Sequence, residues 1–536
     1  MKRAIIQNHN DNVATLLEAA GRGERVELIG AVNPLEARGS SDSTESAPSL
    51  LELVEDLPIR HKVALSDISQ GEAVVKYGAP IGVAAVPIKR GSHVHVHNLN
   101  SVRGKFLEKY TAQSKDAEVA SPMAQGILAS EMATNQISFH PDQNRPGEIP
   151  TFMGFVRPDG LVGVRNHLLV LPVVICAAAV AEAIAAGISG AVNIYHQYGC
   201  NLDPATNADV EKVFGGFGRN PNVGAVILVG LGCETVSIER IAEEIRRSGK
   251  PVKDVVIQRD GGVNRSIERG RQIAEVLSRQ LASEAREEVQ ASRLTVAVEC
   301  GASDAFSGLS ANPAIGVMGD LVVGYGGTVV LSETTEMIGA EHILAGQARD
   351  QTVGQAVLEI VRRTEQELAL IGGNSLGDIT PGNIAGGLST IEEKSLGCIR
   401  KAGFTPIQEV VDYASSPTSS GLVIMNTPGH DIESMTGVVA GGAQIIVFST
   451  GLGTPTGSPI APVIKVSSNS EVLRWMPDVI DVDVGGIVTG NLTLSVAGQK
   501  IFRELLDVAS GKPTWSERAG HREFAIRRYG TACTLY

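Results

Sequence analysis

Along the first hundred residues the apolar positions come in short runs broken by turns, at residues 62–65, 74–76, 83–86 and 94–96. Runs of this length predict strands, and together a small β domain. From Thr151 onward the pattern changes. Apolar runs at 191–195, 225–229, 252–257, 295–298 and 328–331 alternate with amphipathic stretches such as 238–247 and 264–287. Strands alternating with helices predict a doubly wound, mainly parallel α/β sheet. Strands at 422–425 and 445–448 repeat the style, as a further domain or a continuation of the same sheet. The expected division is 1–110 as the β domain, 111–150 as a linker, 151–385 as an α/β core and 386–536 as a C-terminal α/β domain. The linker rests on its Ser, Gln, Asn and Pro content, with one short helix near 123–132, and residues 38–48 read as a solvated loop.

Composition narrows the class. A chain of 536 residues with 43% hydrophobic content, 60 glycines and 4% aromatics has an aliphatic core and many tight turns. Its length calls for two or three domains. The formal net charge of −13, with no long basic run, gives nucleic acid and anionic membranes nothing to hold. With no apolar leader and no spanning stretch, the expectation is a cytoplasmic protein. Six cysteines placed singly argue against a disulfide framework and for reduced thiols or metal ligands.

The densest chemistry lies in Gly91-Ser92-His93-Val94-His95-Val96-His97-Asn98. Alternation at period two points His93, His95 and His97 to one face of a strand. Neighbouring imidazoles on such a face can share a divalent ion or supply a general base. A polar face on an exposed edge strand is the plainer alternative.

Three further cysteines follow predicted strands, in Tyr198-Gly199-Cys200, Leu231-Gly232-Cys233-Glu234 and Glu299-Cys300-Gly301. Ligands of open α/β sheets bind beyond the carboxyl ends of the strands, so these thiols could converge on one crevice. Cys200, Cys233 and Cys300 would then hold an iron–sulfur cluster, or else fill tight turns as small apolar groups. The same strand ends carry His196, Glu234, Ser303, Asp304, Glu333 and Glu336, groups suited to a polyhydroxy acid but also to capping helices. Arg157 and Arg165-Asn166-His167 bracket the first core strand, where a guanidinium could grip a carboxylate.

The ordered motifs His61-Lys62-Val63-Ala64-Leu65, His93-Val94-His95-Val96-His97-Asn98, Gly163-Val164-Arg165-Asn166, Tyr198-Gly199-Cys200, Gly232-Cys233-Glu234, Glu299-Cys300-Gly301, Ser310-Ala311-Asn312-Pro313 and Lys394-Ser395-Leu396-Gly397 resemble the altronate/galactarate dehydratase family. The histidine segment is nearer the altronate type, and residues 51–55 nearer the galactarate type. The resemblance implies an N-terminal SAF domain and a hydro-lyase that removes water from a sugar acid to give a keto-deoxy acid. It implies a divalent metal, Fe2+ or Mn2+, and a small sugar-acid substrate; the iron–sulfur cluster of the thiol reading stays as the alternative, and a homo-oligomer is expected. On this footing His93, His95, His97, Glu234, Asp304 and Glu333 are the catalytic candidates. Arg165, Asn166, His196, Ser303, Asn312 and Lys394 are the substrate-binding candidates. Two metal sets compete, His93 with His95, and Cys200 with Cys233 and Cys300. Ala302, where the family has glycine, and Gly429-His430-Asp431 depart from the family pattern. They leave room for a carbon–sulfur lyase acting on sulfolactate, or for a sugar-acid-binding protein without catalysis.

Overall fold

The computed structural model describes residues 1–30, 50–103, 149–200, 202–370 and 379–527. The solvated loop at 38–48, the short helix near 123–132 and all but the end of the 111–150 linker lie outside them.

The N-terminal domain is built from β1 (Arg3–Ile6), β2 (Val13–Leu16), β3 (Arg25–Gly30), β4 (Leu50–Glu52), β5 (Lys62–Ala64), β6 (Ala73–Lys76), β7 (Ala79–Ala84), β8 (His93–Val94) and β9 (Leu99–Asn100). They form a six-stranded sheet, β4-β3-β1-β2-β5-β8, and a three-stranded one, β6-β7-β9. Every strand is six residues or shorter, as the broken apolar runs require. β10 (Thr151–Val156), β11 (Val162–Gly163) and β16 (Glu287–Gln290) make a small antiparallel sheet at the entry to the α/β part.

The middle sheet comprises β12 (His167–Pro172), β13 (Ala191–Asn193), β14 (Val223–Gly230) and β15 (Val252–Val256), in the order β13-β12-β14-β15 and all parallel. β14 is buried at every position because helices cover both of its faces. The Ala178–Ala185 and Val263–Ala282 helices pack on one face, and Pro204–Arg219 and Ile238–Arg246 on the other.

The large sheet contains β17 (Thr295–Gly301), β18 (Thr328–Leu331), β19 (Ile407–Val411), β20 (Gly421–Met425), β21 (Ile445–Thr450), β22 (Val463–Ser467) and β23 (Val482–Asp483). Its order is β19-β20-β18-β17-β21-β22-β23, again all parallel. The expected boundary at 385/386 falls between strands that hydrogen-bond to each other: β18 pairs with β20. The C-terminal strands therefore continue a sheet begun at Thr295. One apolar core joins the two parallel sheets, with Leu171 and Leu228 of the first and Ala297 and Phe448 of the second packed around the intervening helices. No helix among the described residues is long and apolar enough to cross a membrane.

Candidate active site

β5 and β8 pair antiparallel with Lys62 opposite Val94 and Val63 opposite His93. That register brings His61, just before β5, against the residues around Val94. The ring centroids of His61 lie 4.9 Å from His93 and 4.7 Å from His95. Nδ1 of His61 is 2.8 Å from Nε2 of His93, and one ring nitrogen from each of the three comes within 4.8 Å of the others. The expected strand covers only His93 and Val94, although the rings of His93 and His95 still stack with centroids 5.2 Å apart. Beyond them the chain turns, with the Asn98 side chain accepting from the His95 N–H and donating to the His93 carbonyl. His97 is thereby exposed on the turn, its ring 5.2 Å from that of His93, and His61 completes the trio in its place, with His93 half-buried between two buried rings. Burial, reinforced by the neighbouring imidazoles and Lys62, holds His93 down at about 3 and His95 at about 4. Burial also lowers His61. All three rings are neutral at neutral pH, the form in which an imidazole can give a lone pair to a cation.

The β domain is fastened to the large sheet by charge. Lys62 and Lys76 each place Nζ 2.8 Å from a different oxygen of Glu393, on the Ile391–Cys398 helix. Nζ of Lys62 also donates to the Gly387 carbonyl at 2.9 Å and to Ser389 Oγ at 2.7 Å. The same Ser389 hydroxyl lies 3.0 Å from Nδ1 of His95. Arg60, beside His61, pairs with Asp304 at 3.2 Å.

At the carboxyl edge of the large sheet, the end of β17 and the turns after β18 and β20 gather Glu299, Cys300, Glu333, Glu336 and Asp431 against Lys394, Cys398 and Lys401. Lys401 Nζ is 2.8 Å from Cys300 Sγ and also contacts Glu333. Cys300 Sγ lies 2.9 Å from Glu336 and 3.4 Å from Cys398 Sγ. Lys394 pairs with Glu336 at 2.6 Å. Ser332 and Ser434 both donate to one oxygen of Glu299, at 2.7 and 2.8 Å, while its Oε1 is buried without a partner. This edge divides the acidities. Burial, then the Glu333 charge, pushes Glu299 well up. Burial and Glu336 raise Glu333 to about 7. Burial would raise Glu336 too, but Lys394 and Lys401 outweigh it and hold it at about 2. Carboxyls with such divided acidities can serve as acid and base in one site.

Backbone strain concentrates at the same place. Of the five non-glycine residues with left-handed φ among the described residues, Arg60, Tyr77, Ala302 and Glu333 adjoin these groups; each costs of the order of 1–3 kcal/mol and persists only where its surroundings enforce it.

The remaining expected residues divide. Asp304 joins the site through Arg60, and Ser307 and Ser468 donate to its Oδ1. Ser303 is buried beside it, its carbonyl held by Asn383. Asn312 braces the base of the site, donating to the Gly397 carbonyl. Arg165 does not serve as the expected carboxylate grip: Nε and Nη2 bind Glu517 at 2.7 and 2.8 Å, and its other contacts are carbonyls of Val164, Val508 and Lys512. Asn166 donates to the Leu281 carbonyl and Glu284. His196 is buried between the Pro172 carbonyl and the Tyr198 N–H. Glu234 accepts from the N–H groups of Leu231, Gly232 and Cys233 and so shapes its own turn. Cys200 and Cys233 lie exposed at the middle sheet, whereas Cys300 is buried at the large one, so the expected cysteine trio is split between two sheets.

Sequence reasoning passed over His61 as a ligand and Glu393, Cys398 and Lys401 altogether. His61 stood in a quoted motif, and only the β5–β8 register could have joined it to His93.

Imidazoles and carboxyls of divided acidity are the groups that a lyase taking a proton from one carbon and expelling a group from the next would need. Residues 2–102 match the altronate/galactarate dehydratase SAF domain. Residues 154–282 match the D-galactarate dehydratase/altronate hydrolase second domain, and 291–532 the D-galactarate/altronate dehydratase C-terminal domain. The chain belongs to the altronate/galactarate dehydratase family. It is 31% identical to altronate dehydratase of Bacillus subtilis over 99% of both chains. It is 34% identical to the L-threo-forming galactarate dehydratase of Escherichia coli over 89% of this chain and 91% of the relative. The β subunit of (2R)-sulfolactate sulfo-lyase from Chromohalobacter salexigens is 38% identical over 70% of this chain and 97% of its own length.

Proposed function

We propose that the protein is a cytoplasmic, metal-dependent hydro-lyase that dehydrates a hexonic or hexaric acid to its keto-deoxy acid. The observation that carries the reading is the Ile391–Cys398 helix with its approach. Ser389 touches His95, Glu393 clasps Lys62 and Lys76, and Lys394 pairs with Glu336, which supports reading the histidines and the carboxylates as one site. The sugar-acid dehydratases among the relatives support the reaction class. Five free cysteines among the described residues agree with a reducing compartment.

The donor set of His61, His93 and His95 fits Fe2+ or Mn2+: three neutral imidazoles offer converging lone pairs. A divalent ion held there would supply Lewis acidity to a hydroxycarboxylate, making its α-proton easier to remove. Glu333, poised near neutrality, takes the α-proton as general base. Glu299, kept protonated by burial and by Glu333, delivers a proton to the departing β-hydroxyl. Water leaves, and the enol tautomerises to the ketone with no net change of oxidation state. Lys394 and Lys401 offset the charge of the acid substrate and of Glu336.

The test is keto-acid formation by anaerobically purified protein supplied with Fe2+ or Mn2+, against altronate, galactarate, other aldonates and sulfolactate. Selective turnover of one sugar acid is the expected result. The sulfo-lyase likeness makes sulfite release the competing outcome; it would keep the proton chemistry and change the leaving group. Silence across the panel with metal bound would overturn the reading in favour of a binding protein.

A further inference from the structure

The middle sheet carries a feature that this mechanism does not use. β12, β13 and β14 are adjacent and parallel, so their carboxyl ends open on one edge. Each is followed there by an exposed free cysteine: Cys176, Cys200 and Cys233 respectively. Free cysteines are among the residues most often buried, and Cys300 and Cys398 obey that rule. Three exposed thiols on three neighbouring turns depart from it at the very edge where open α/β sheets bind ligands.

The turns are laced together. The Ile175 N–H donates to the Tyr198 carbonyl at 3.0 Å, the Val173 N–H to the Val229 carbonyl at 2.9 Å, and the Thr235 N–H to the Gly199 carbonyl at 2.9 Å. Cys200 and Cys233 are each preceded by a left-handed glycine, Gly199 with φ +104° and Gly232 with φ +117°. At Gly199 a Cβ would stand 2.1 Å from the Val173 carbonyl oxygen, so the close approach of the first two turns requires glycine. Each cysteine also lies just ahead of a helix, Ala178–Ala185, Pro204–Arg219 or Ile238–Arg246. Three positive helix ends favour an anionic ligand between them.

We infer that Cys176, Cys200 and Cys233 form a three-thiolate site for an iron–sulfur cluster with one iron left open at the edge of the sheet. A single tetrahedral ion would need its sulfurs about 3.8 Å apart, given metal–sulfur bonds of about 2.3 Å. The ligand groups that converge within 4.8 Å among the described residues are three others, and this trio is not one of them. A sulfide-bridged cubane spaces its thiolates more widely and needs only three when one iron binds a ligand of its own. That open iron would take the carboxylate and hydroxyl oxygens of a hydroxy acid. This last step rests on the dehydratase reading; the cluster does not.

The experiment is anaerobic reconstitution of the full chain with Fe2+ and sulfide, read by iron and acid-labile sulfide content, visible charge-transfer absorption and the electron paramagnetic resonance of the reduced protein. Wild type should take up a cluster. Cys176→Ser, Cys200→Ser and Cys233→Ser should each cut iron and sulfide about tenfold with unchanged circular dichroism, while Cys300→Ser and His93→Ala retain them. Adding altronate or galactarate should shift the resonance of the reduced cluster. No cluster in wild type, or full retention by all three variants, would overturn the assignment. Loss only in Cys300→Ser would move it to the buried pair. A cluster present but blind to both sugar acids would uphold the site and sink the hydroxy-acid ligand.

Discussion

Replacing Glu393 with Gln keeps the shape of the side chain and removes its charge, which leaves Lys62 and Lys76 facing a neutral amide. In the native protein each Nζ stands 2.8 Å from its own carboxylate oxygen, and none of the three side chains is more than 2% exposed. Removing one partner of a buried ion pair costs about 3–5 kcal/mol, and here one carboxylate serves two ammoniums. E393Q should therefore lose at least that much in urea unfolding, with hydrogen-exchange protection falling first in β5 and the Ile391–Cys398 helix. A triple replacement of Lys62, Lys76 and Glu393 by Met should recover much of the loss, because it buries no charge. The pH dependence gives a second readout. Burial alone would raise the Glu393 carboxyl, but the two ammoniums prevail and hold it at about 2, against 4.5 when free. A depressed carboxyl stabilises the fold above its unfolded value. That contribution, roughly 3 kcal/mol, is present above pH 4.5 and is lost as pH falls through about 2. The acid-side loss should be shallower in E393Q. A variant within about 1 kcal/mol of wild type, with native exchange protection, would refute the clasp.

His93→Ala and His95→Ala should each weaken Mn2+ binding by tenfold or more in calorimetry while the fold persists. Glu333→Gln should lower kcat by about 10²–10⁴; because Glu333 acts deprotonated, wild-type kcat should rise with pH through about 7, a limb that the variant lacks. Arg165→Ala should reduce stability by about 2–4 kcal/mol through the abandoned Glu517 and leave KM unchanged; a rise in KM would restore Arg165 as a substrate ligand. Gly199→Ala should cost about 2 kcal/mol or more in unfolding, since the left-handed backbone and the Val173 carbonyl both oppose a Cβ.

The alternation of apolar strands and amphipathic helices was legible because the parallel strands are buried on both faces and carry unbroken apolar runs. β14 is the plainest case. What escaped was pairing at long range. The 385/386 boundary looked natural along the chain, but strand order in a parallel sheet is set by crossovers, and β20 returns beside β18. The histidine segment was expected to run on as a regular strand, but the Asn98 side chain turns the chain at His95. Arg165 and His196 show the reverse error. Their residue types suggested ligands, and buried carbonyls and Glu517 use up their donors instead. A lysine such as Lys401 gives no sequence signal at all, since its function depends on being buried beside Cys300 and Glu333.

The clasp between Lys62, Lys76 and Glu393 also bears on how such an enzyme is encoded. In Chromohalobacter salexigens, likeness to this chain is divided between two sulfo-lyase subunits, 386 residues of the β subunit and 52 of the α subunit. A covalent tether holds a docking module at an effective concentration in the mM range. A separate polypeptide at about 1 μM forgoes roughly a thousandfold of that, or about 4 kcal/mol. This is what one well-made buried ion pair is worth when it is broken. Separating the β domain of this chain from the rest would therefore cost about as much binding as a single buried charged side chain supplies.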